Sequence, residues 1–590
     1  AASKVTKGSC VDVRRFASGH RSAAVAPRAS ASHCGVAAWR LQPSTRGDGV
    51  SKRASLAGPP RAQAERHSAP SLRTLEIPGS KRTSFTKVYK FGGSSVASAE
   101  RMHEVANIVT LFRDEAPVVV LSAMGKTTNN LIIAGEMAIN CNASEVQFLE
   151  PLMTINALHR ETMDALNIGD ATREEVESLL TELSQLLIGV SLLKDLTPRS
   201  LDSLVSFGER LSTRIFSGYL SACGVPSIQH DAFELGITTT DQFTNGDLLY
   251  DESISEVQQK LKRFVPKRDL DLRGDEGEAS GGGRAQDAGL LPVVPVVTGF
   301  LGRGEKTGAI TTLGRGGSDL TATFIGMALG IDEVVVWKDV DGVLTTDPRV
   351  CPEAIPIPLL SVDEASELAY FGASVLHPQS MQPLLEHQKR RMLEAASSSS
   401  SPADGMDNFR VRVRNSYNVD APGSVICAQK KNASDSLLTS IILKQGVNML
   451  DIVSTRMLGQ YGFLSKVFGV FEELEISVDV VATSEVSVSV TLDISKVWAR
   501  DLKNEELEKL EKSFEGLATV SLHTKRTILS LIGNPERSNE ILARTFAVLT
   551  EKGINPEMIS KGANKNNIAM IVPEELGEEC LQALHQTFFQ

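Results

Sequence analysis

From Thr86 onward the chain alternates short runs of apolar, often β-branched residues with longer amphipathic stretches, and this order constrains its fold more than any other feature. Residues 88–91 read as a strand, 102–112 as a helix and 117–121 as a strand, and apolar runs at 293–298 and 334–337 continue the series. Parallel strands need a crossover between them, and helices supply it. The expected class is therefore α/β with a mostly parallel sheet.

Two stretches break the alternation. Residues 268–288 are charged and Gly-rich, and residues 395–407 carry five consecutive serines and then a proline, so both read as surface insertions. After residue 433 the pattern shortens and repeats. Strand-like 449–456, helical 463–474, strands 478–483 and 487–492, helical 504–514 and strand 518–525 make a βαββαβ unit, ferredoxin-like in order. A second copy starts at 527–533, continues through a helix at 538–552 and strands at 556–561 and 568–572, and ends in a helix from Glu574. It lacks a fourth strand. Residues 438–443 form an unassigned strand ahead of the first copy, so the expectation is that they complete the second and that the two units interleave.

The first 73 residues are a different polymer. They hold 13 Lys and Arg against Asp12, Asp48 and Glu65, a balance of +10, so the chain's net charge of -11 leaves -21 for the rest. No apolar period runs through them. An Arg- and Ser-rich, acid-poor N-terminus has the character of an organelle transit peptide, expected over residues 1–83. The acidic remainder argues against a nucleic-acid partner, which needs a basic face. Apolar stretches such as 290–301, broken by Pro292 and Pro295, fall short of the ~20 residues that cross a bilayer, and no membrane association is expected. Seven cysteines with no Cys-x-x-Cys pair offer neither a disulfide framework nor a zinc site, and no protein-held metal is expected.

Chemistry enters at Lys87-Val-Tyr-Lys-Phe-Gly-Gly-Ser-Ser95, where a strand runs straight into a glycine turn and then a helix. Glycines let backbone N–H groups close on an anion, and the helix N-terminus adds positive potential. Lys90 stands at the lip of this turn. Gly125-Lys126-Thr127 invites a P-loop reading that fails, because the glycine required five positions earlier is Val120. Between Thr307 and Asp319 lies Thr311-Thr-Leu-Gly-Arg-Gly-Gly-Ser-Asp319, where Arg315 among three glycines has little to pack against. Its planar fork suits a carboxylate or a phosphate.

Together with Ser206-Phe-Gly-Glu-Arg-Leu-Ser-Thr213, Trp337-Lys-Asp-Val-Asp-Gly-Val-Leu-Thr-Thr-Asp-Pro-Arg349 and Phe371-Gly-Ala-Ser-Val-Leu-His-Pro378, these segments make the chain resemble the aspartate kinases of the amino acid kinase family, across roughly residues 86–590. The Trp-Lys-Asp-Val-Asp-Gly form is similar to that of the monofunctional plant and algal members. The resemblance implies a three-layer αβα kinase domain over 84–432 and two C-terminal ACT domains, one at 445–525 and one formed by 436–444 plus 526–590. No dinucleotide-binding pattern follows them, so a fused dehydrogenase is not expected.

The activity implied is ATP-dependent phosphorylation of the side-chain carboxylate of L-aspartate, which opens lysine, threonine and methionine biosynthesis. A carboxylate is already ionised at neutral pH, so alignment and charge neutralisation suffice without a general base. By the match, Lys90 and Asp319 are catalytic, and Gly92, Gly93, Ser94, Ser122, Lys338, Asp339 and Arg349 join Lys90 in holding ATP. Thr128, Glu209, Arg315, Gly316, Gly317 and Ser318 bind aspartate, Arg315 on the α-carboxylate and Glu209 on the α-ammonium. Mg²⁺ is expected on the nucleotide phosphates.

Two positions depart from the family: Leu344 stands where many bacterial relatives stack an aromatic on the nucleotide, and Ser374 replaces a lysine that reaches its phosphates. In the ACT region, Met457-Leu-Gly-Gln-Tyr-Gly-Phe-Leu464 is similar to the loop-to-helix element of lysine-sensitive members. The allosteric lysine site it implies comprises Met457, Gln460, Phe463, Leu464, Ser477, Val478, Asp479, Thr483, Ser484 and Glu485. The segment 561–567 keeps the family's form, with a structural role expected. Feedback inhibition by L-lysine, S-adenosylmethionine as a co-inhibitor among plant relatives, a homodimer or larger homo-oligomer through the ACT domains, and plastid location complete the expectation. Two alternatives stand beside it: an inert amino-acid sensor on the same scaffold, and a related kinase with another acceptor.

Overall fold

The computed structural model describes residues 85–112, 115–262, 293–373, 376–397, 409–430, 436–454, 461–474, 476–484, 486–492, 509–510, 512–516, 518–562 and 564–590. The transit segment expected over 1–83, the insertion at 268–288 and residues 398–407 of the second insertion lie outside the described residues. Residues 395–397, read as the start of that insertion, belong instead to the backbone of helix Pro378–Ser397.

An eight-stranded sheet forms the first layer system, in the order Ser227–His230, Val294–Thr298, Pro117–Leu121, Lys87–Phe91, Glu333–Lys338, Arg410–Asn415, Ser424–Cys427, Leu359–Ser361. All neighbours run parallel except Arg410–Asn415 with Ser424–Cys427. The apolar runs are continuous because both faces are covered. Side chains alternate between those faces. Val88, Val118, Val120, Val334 and Val336 enter one core with helices Gly317–Leu329 and Pro378–Ser397, whereas Tyr89, Phe91, Val119, Leu121, Val335 and Trp337 enter another with the helices between 99 and 222. Trp337 is fully buried, stacked on Phe91 at 6.1 Å and edge-on to Tyr89 at 5.8 Å. Helix Asp170–Leu193 is long and apolar enough to cross a membrane, but its Val176, Leu179, Leu180, Leu183 and Leu187 are buried in this second core.

The second system is a six-stranded antiparallel sheet, ordered Val478–Thr483, Ser487–Leu492, Leu438–Val453, Thr519–Gly533, Asn567–Pro573, Met558–Ser560. Its two central strands are long, 16 and 15 residues. Ser440–Lys444 pairs with Ile528–Ile532, and Met449–Val453 pairs with Thr519–His523, with register shifts between Lys444 and Met449. The sequence pattern splits each of these strands in two, at the polar Lys444-Gln445-Gly446 and at Lys525. Both are irregularities within one strand: Gly446 and Lys525 take positive φ, and the chain continues. Helix Phe463–Glu473 covers one half of the sheet through Val467 and Phe471, and helices Ser538–Glu551 and Glu574–Phe589 cover the other. On the opposite face, Ile442, Ile528, Ile532 and Ile571 belong to the same apolar cluster as Leu368 and Phe371 of the first system, so one core runs through both.

Candidate active site

The parallel strands Lys87–Phe91, Pro117–Leu121 and Val294–Thr298 all end at the same edge, where ligands of open α/β sheets bind. Each end turns through glycine or small residues, and the turns touch backbone to backbone. The Gly125 N–H donates to the Gly93 carbonyl (3.0 Å) and the Ser122 N–H to the Phe91 carbonyl (3.2 Å). A Cβ at Gly93 would lie 2.7 Å from the Ala123 carbonyl oxygen, which no neighbouring movement relieves cheaply. A third glycine loop leads into helix Gly317–Leu329, with Gly314 and Gly316 at φ of 68° and 74°. Asp202, buried on helix Pro198–Ala222, holds that loop by accepting the Thr312 N–H (3.1 Å) and hydroxyl (2.8 Å) and the Thr244 N–H (2.9 Å).

These turns enclose a cavity of about 370 Å³. Lys90, Gly93, Ser122 and Thr128 line it from the first two turns, Glu209 from helix Pro198–Ala222, and Gly316, Gly317, Ser318 and Asp319 from the third loop. Lys90 and Asp319 form an ion pair across it, both side chains one-tenth exposed. Glu209 is buried, with one carboxylate oxygen accepting the Ala123 N–H at 3.2 Å and the other without a partner. Burial pushes its pKa up to about 8, against the Ala123 hydrogen bond and the positive charge of Lys90. Helix and turn approach closely here because residue 208 is glycine: a Cβ would sit 2.7 Å from that of Ala123.

Lys338, at the end of the strand beside Lys87–Phe91, is close enough to feel the charges of Asp319 and Lys90; burial lowers its pKa, Asp319 raises it and Lys90 lowers it. Gly92, Ser94 and Arg315 sit on the same turns without lining the cavity, and Arg315 depresses the pKa of His377 after the larger effect of burial. Asp339 and Arg349 lie apart from it, in a second cavity of about 420 Å³ that Leu344 also lines. Arg349 is exposed and grips Asp347 with two nitrogens, at 3.0 and 2.6 Å. Sequence reasoning missed Asn129, Phe300 and Gly314 on the first cavity and Asp202 behind it. Phe300, at φ 69° within the Thr298-Gly-Phe segment, left a readable trace; Asp202 left none.

The amino acid kinase family profile matches residues 86–392, and an ACT domain profile matches 529–588. Aspartokinase 1, chloroplastic, of Arabidopsis thaliana is 53% identical over 505 residues, covering 86% of this chain and 80% of that protein. The chain belongs to the aspartokinase family. A crystal structure of Escherichia coli aspartokinase III in complex with lysine and aspartate (T-state) superposes with a TM-score of 0.68 at 30% identity, over 86% of this chain and all of that one. The same enzyme with aspartate and ADP (R-state) gives 0.63 at 30%, with the same coverage. The three-layer kinase fold with C-terminal ACT domains is thereby shown.

In this aspartokinase the expected regulatory residues are partly in view. Met457, Gln460 and Glu485 lie outside the described residues, as does Ser374. Gly462, left-handed at φ 87°, caps the helix that begins with buried Phe463 and exposed Leu464. Val478, Asp479 and Thr483 lie on the edge strand Val478–Thr483, with Ser477 exposed just before it. The Ser484 hydroxyl meets that of Ser487 at 2.6 Å. Asp479 is fully covered, accepting from Lys444 at 2.5 Å and from the Tyr370 hydroxyl at 3.1 Å, so this carboxylate ties the sheet to the kinase helix Val362–Tyr370.

Proposed function

We propose that this aspartokinase transfers the γ-phosphoryl group of ATP to the side-chain carboxylate of L-aspartate, giving 4-phospho-L-aspartate and ADP. The observation that carries the reading is the convergence of an ion-paired lysine, a partnerless buried carboxylate oxygen and three glycine turns on one cavity. An aspartate carboxylate oxygen forms the new bond to phosphorus, the bond to the β,γ-bridging oxygen breaks, and its electron pair leaves on ADP. No proton moves in this step.

Glycine turns at Gly92, Gly93, Ser94 and Ser122 cradle the phosphates, with the helix N-terminus at Gly317 and Ser318 facing them. Lys90 neutralises charge on the phosphoryl group in flight, and Asp319 orients Lys90. Glu209 receives the α-ammonium of aspartate and Arg315 its α-carboxylate, with Thr128 and Gly316 alongside. An ammonium beside Glu209 reverses the penalty of burial and draws the carboxyl into its ionised form. Lys338, Asp339 and Arg349 carry the binding of ATP beyond the triphosphate. Mg²⁺ fits this donor set as an ion carried by phosphate oxygens and water, because the cavity offers only Glu209 and the lysine-paired Asp319 as carboxylates. Once bound it neutralises the β- and γ-phosphates; Asp319 is the side chain that would meet its water shell.

The same reading assigns L-lysine to Met457, Gln460, Phe463, Leu464, Ser477–Asp479 and Thr483–Glu485 in the ACT region, and places the domain limits at 84–432, 445–525 and 436–444 plus 526–590. It also assigns a homodimer or larger homo-oligomer through these domains, and a plastid location, the latter in line with the chloroplastic relatives. Trapping the acyl phosphate as a hydroxamate tests the chemistry. No hydroxamate with aspartate but product with another acceptor would move the assignment to a related kinase, and none with any acceptor would leave an inert sensor. Aspartate saturation curves unmoved by millimolar lysine would remove the regulatory assignment.

A further inference from the structure

The loop that carries Arg315 cannot fix its own shape. Three of the five residues 313–317 are glycine, and Gly314 and Gly316 take positive φ. Such a segment has many backbone conformations open to it, and it must be pinned from outside to present one side chain in one place. Its root, Thr312, ends strand Ile310–Thr312 and is buried. The pin is Asp202, buried on helix Pro198–Ala222, which accepts the Thr312 N–H through one carboxylate oxygen and the Thr312 hydroxyl through the other.

The same carboxylate gathers the segment beside the loop. It also accepts the Thr244 N–H, the Gly246 N–H donates to the Thr312 carbonyl (2.8 Å), and Asn245 lies so close to Gly314 that a Cβ there would be 2.2 Å from its Oδ1. All three donors to Asp202 are neutral, so hydrogen bonds alone offset the buried charge: burial raises its pKa and those bonds lower it. Glu209 follows seven residues later on the same helix. Seven residues make nearly two turns, which puts the two carboxylates on one face, about 10 Å apart along the axis. Glu209 enters the Lys90 cavity, and Asp202 stands behind it.

We propose that Asp202 is a positioning residue for amino-acid recognition, setting the Arg315 loop at a fixed separation from Glu209 so that one α-amino acid meets both. This rests on the proposed roles of Glu209 and Arg315 and deepens them. The α-ammonium and α-carboxylate of an amino acid share one carbon, so the groups that receive them must converge at a set spacing. Helix Pro198–Ala222 carries Glu209 itself and holds the Arg315 loop through Asp202, so a single rigid element gauges that spacing. Asp202 does not line the cavity and acts only through the loop. Gly317 and Ser318 begin helix Gly317–Leu329 and are anchored by it, so the phosphate side of the site should feel little of this device.

Steady-state kinetics of the full chain test this. Asp202→Ala should raise the KM for aspartate about tenfold, with the KM for ATP unmoved and kcat changed less. Asp202→Asn, which can accept the same two N–H groups and exchange a bond with the hydroxyl, should restore most of the loss. Arg315→Ala should lower kcat/KM for aspartate, and adding Asp202→Ala to it should lower it no further, since the group being positioned is already gone. An unmoved KM for aspartate in Asp202→Ala, an equal rise in the KM for ATP, or full additivity with Arg315→Ala would make Asp202 a strut of the fold and overturn the inference while leaving the reaction intact. An Arg315→Ala variant with the parent's kcat/KM for aspartate would instead overturn the reading beneath it. If Asp202→Ala does not fold, Thr312→Val decides: it keeps the volume, removes only the hydroxyl bond, and should raise the KM for aspartate about threefold with the KM for ATP unmoved. An unchanged KM for aspartate there would overturn the inference equally.

Discussion

The two cavities differ in where their walls come from. The Lys90 cavity takes every wall from the kinase layers, and its tight approaches are between glycine turns at the ends of neighbouring strands. The Leu344 cavity takes one wall from the kinase loop and another from a strand about a hundred residues further along, joined at Thr345. Geometry fixed by backbone contact resists change. Geometry shared by two sheets moves when one of them shifts.

The sharpest break in this comparison is Lys90→Met. Loss of a charge that acts only as the phosphoryl group moves should lower kcat by about 10² to 10³ with little change in the KM for aspartate, measured by ADP release. A loss confined to the KM for ATP would make Lys90 a binding group and erase the distinction between the two cavities. A smaller effect is expected from Gly316→Ala. The residue sits at φ 74°, and its Cβ would lie 2.2 Å from that of His377, so about 1–3 kcal/mol should be lost in thermal unfolding. An unchanged melting temperature would show that the third loop yields, and the rigid cavity would no longer differ from the shared one.

Next comes the pH response of Glu209. Its raised pKa means that the empty protein gains stability from this group below the unfolded carboxyl range and loses it as pH rises through about 8. Aspartate binding runs the other way, since the ammonium needs the carboxylate. Below pH 8, kcat/KM for aspartate should rise up to about tenfold per pH unit and then level off, and Glu209→Gln should flatten the slope as well as lower the value. A profile that keeps its slope in Glu209→Gln would assign the titration to another group.

What was legible in the sequence follows the same division. Lys90, Gly93, Ser122, Glu209 and Asp319 stand in contiguous motifs because each turn is built locally, and the strand and helix periods that carry them survive in the fold. Asp202 was invisible because it acts on Thr312, 110 residues away, and nothing around it departs from an ordinary helix. The contact of His585 with Thr345 spans 240 residues and that of Asp479 with Tyr370 spans 109; both depend on how two sheets come together. The long central strands were cut in the reading at Gly446 and Lys525, since polar residues at a bulge have the composition of a turn.

The smallest expected effect lies at the rim of the shared cavity, with Arg349→Ala. The guanidinium is exposed, and its grip on Asp347, two residues away, crosses no boundary between elements, so the melting temperature should not move. If its role is to meet the nucleotide between base and phosphates, the KM for ATP should rise about threefold, more at low than at high salt, because an exposed charge is screened. Steady-state kinetics of the variant and the parent protein at two salt concentrations would decide. A salt-independent change in Arg349→Ala would mean that the arginine acts by holding Asp347 and the loop rather than through its charge.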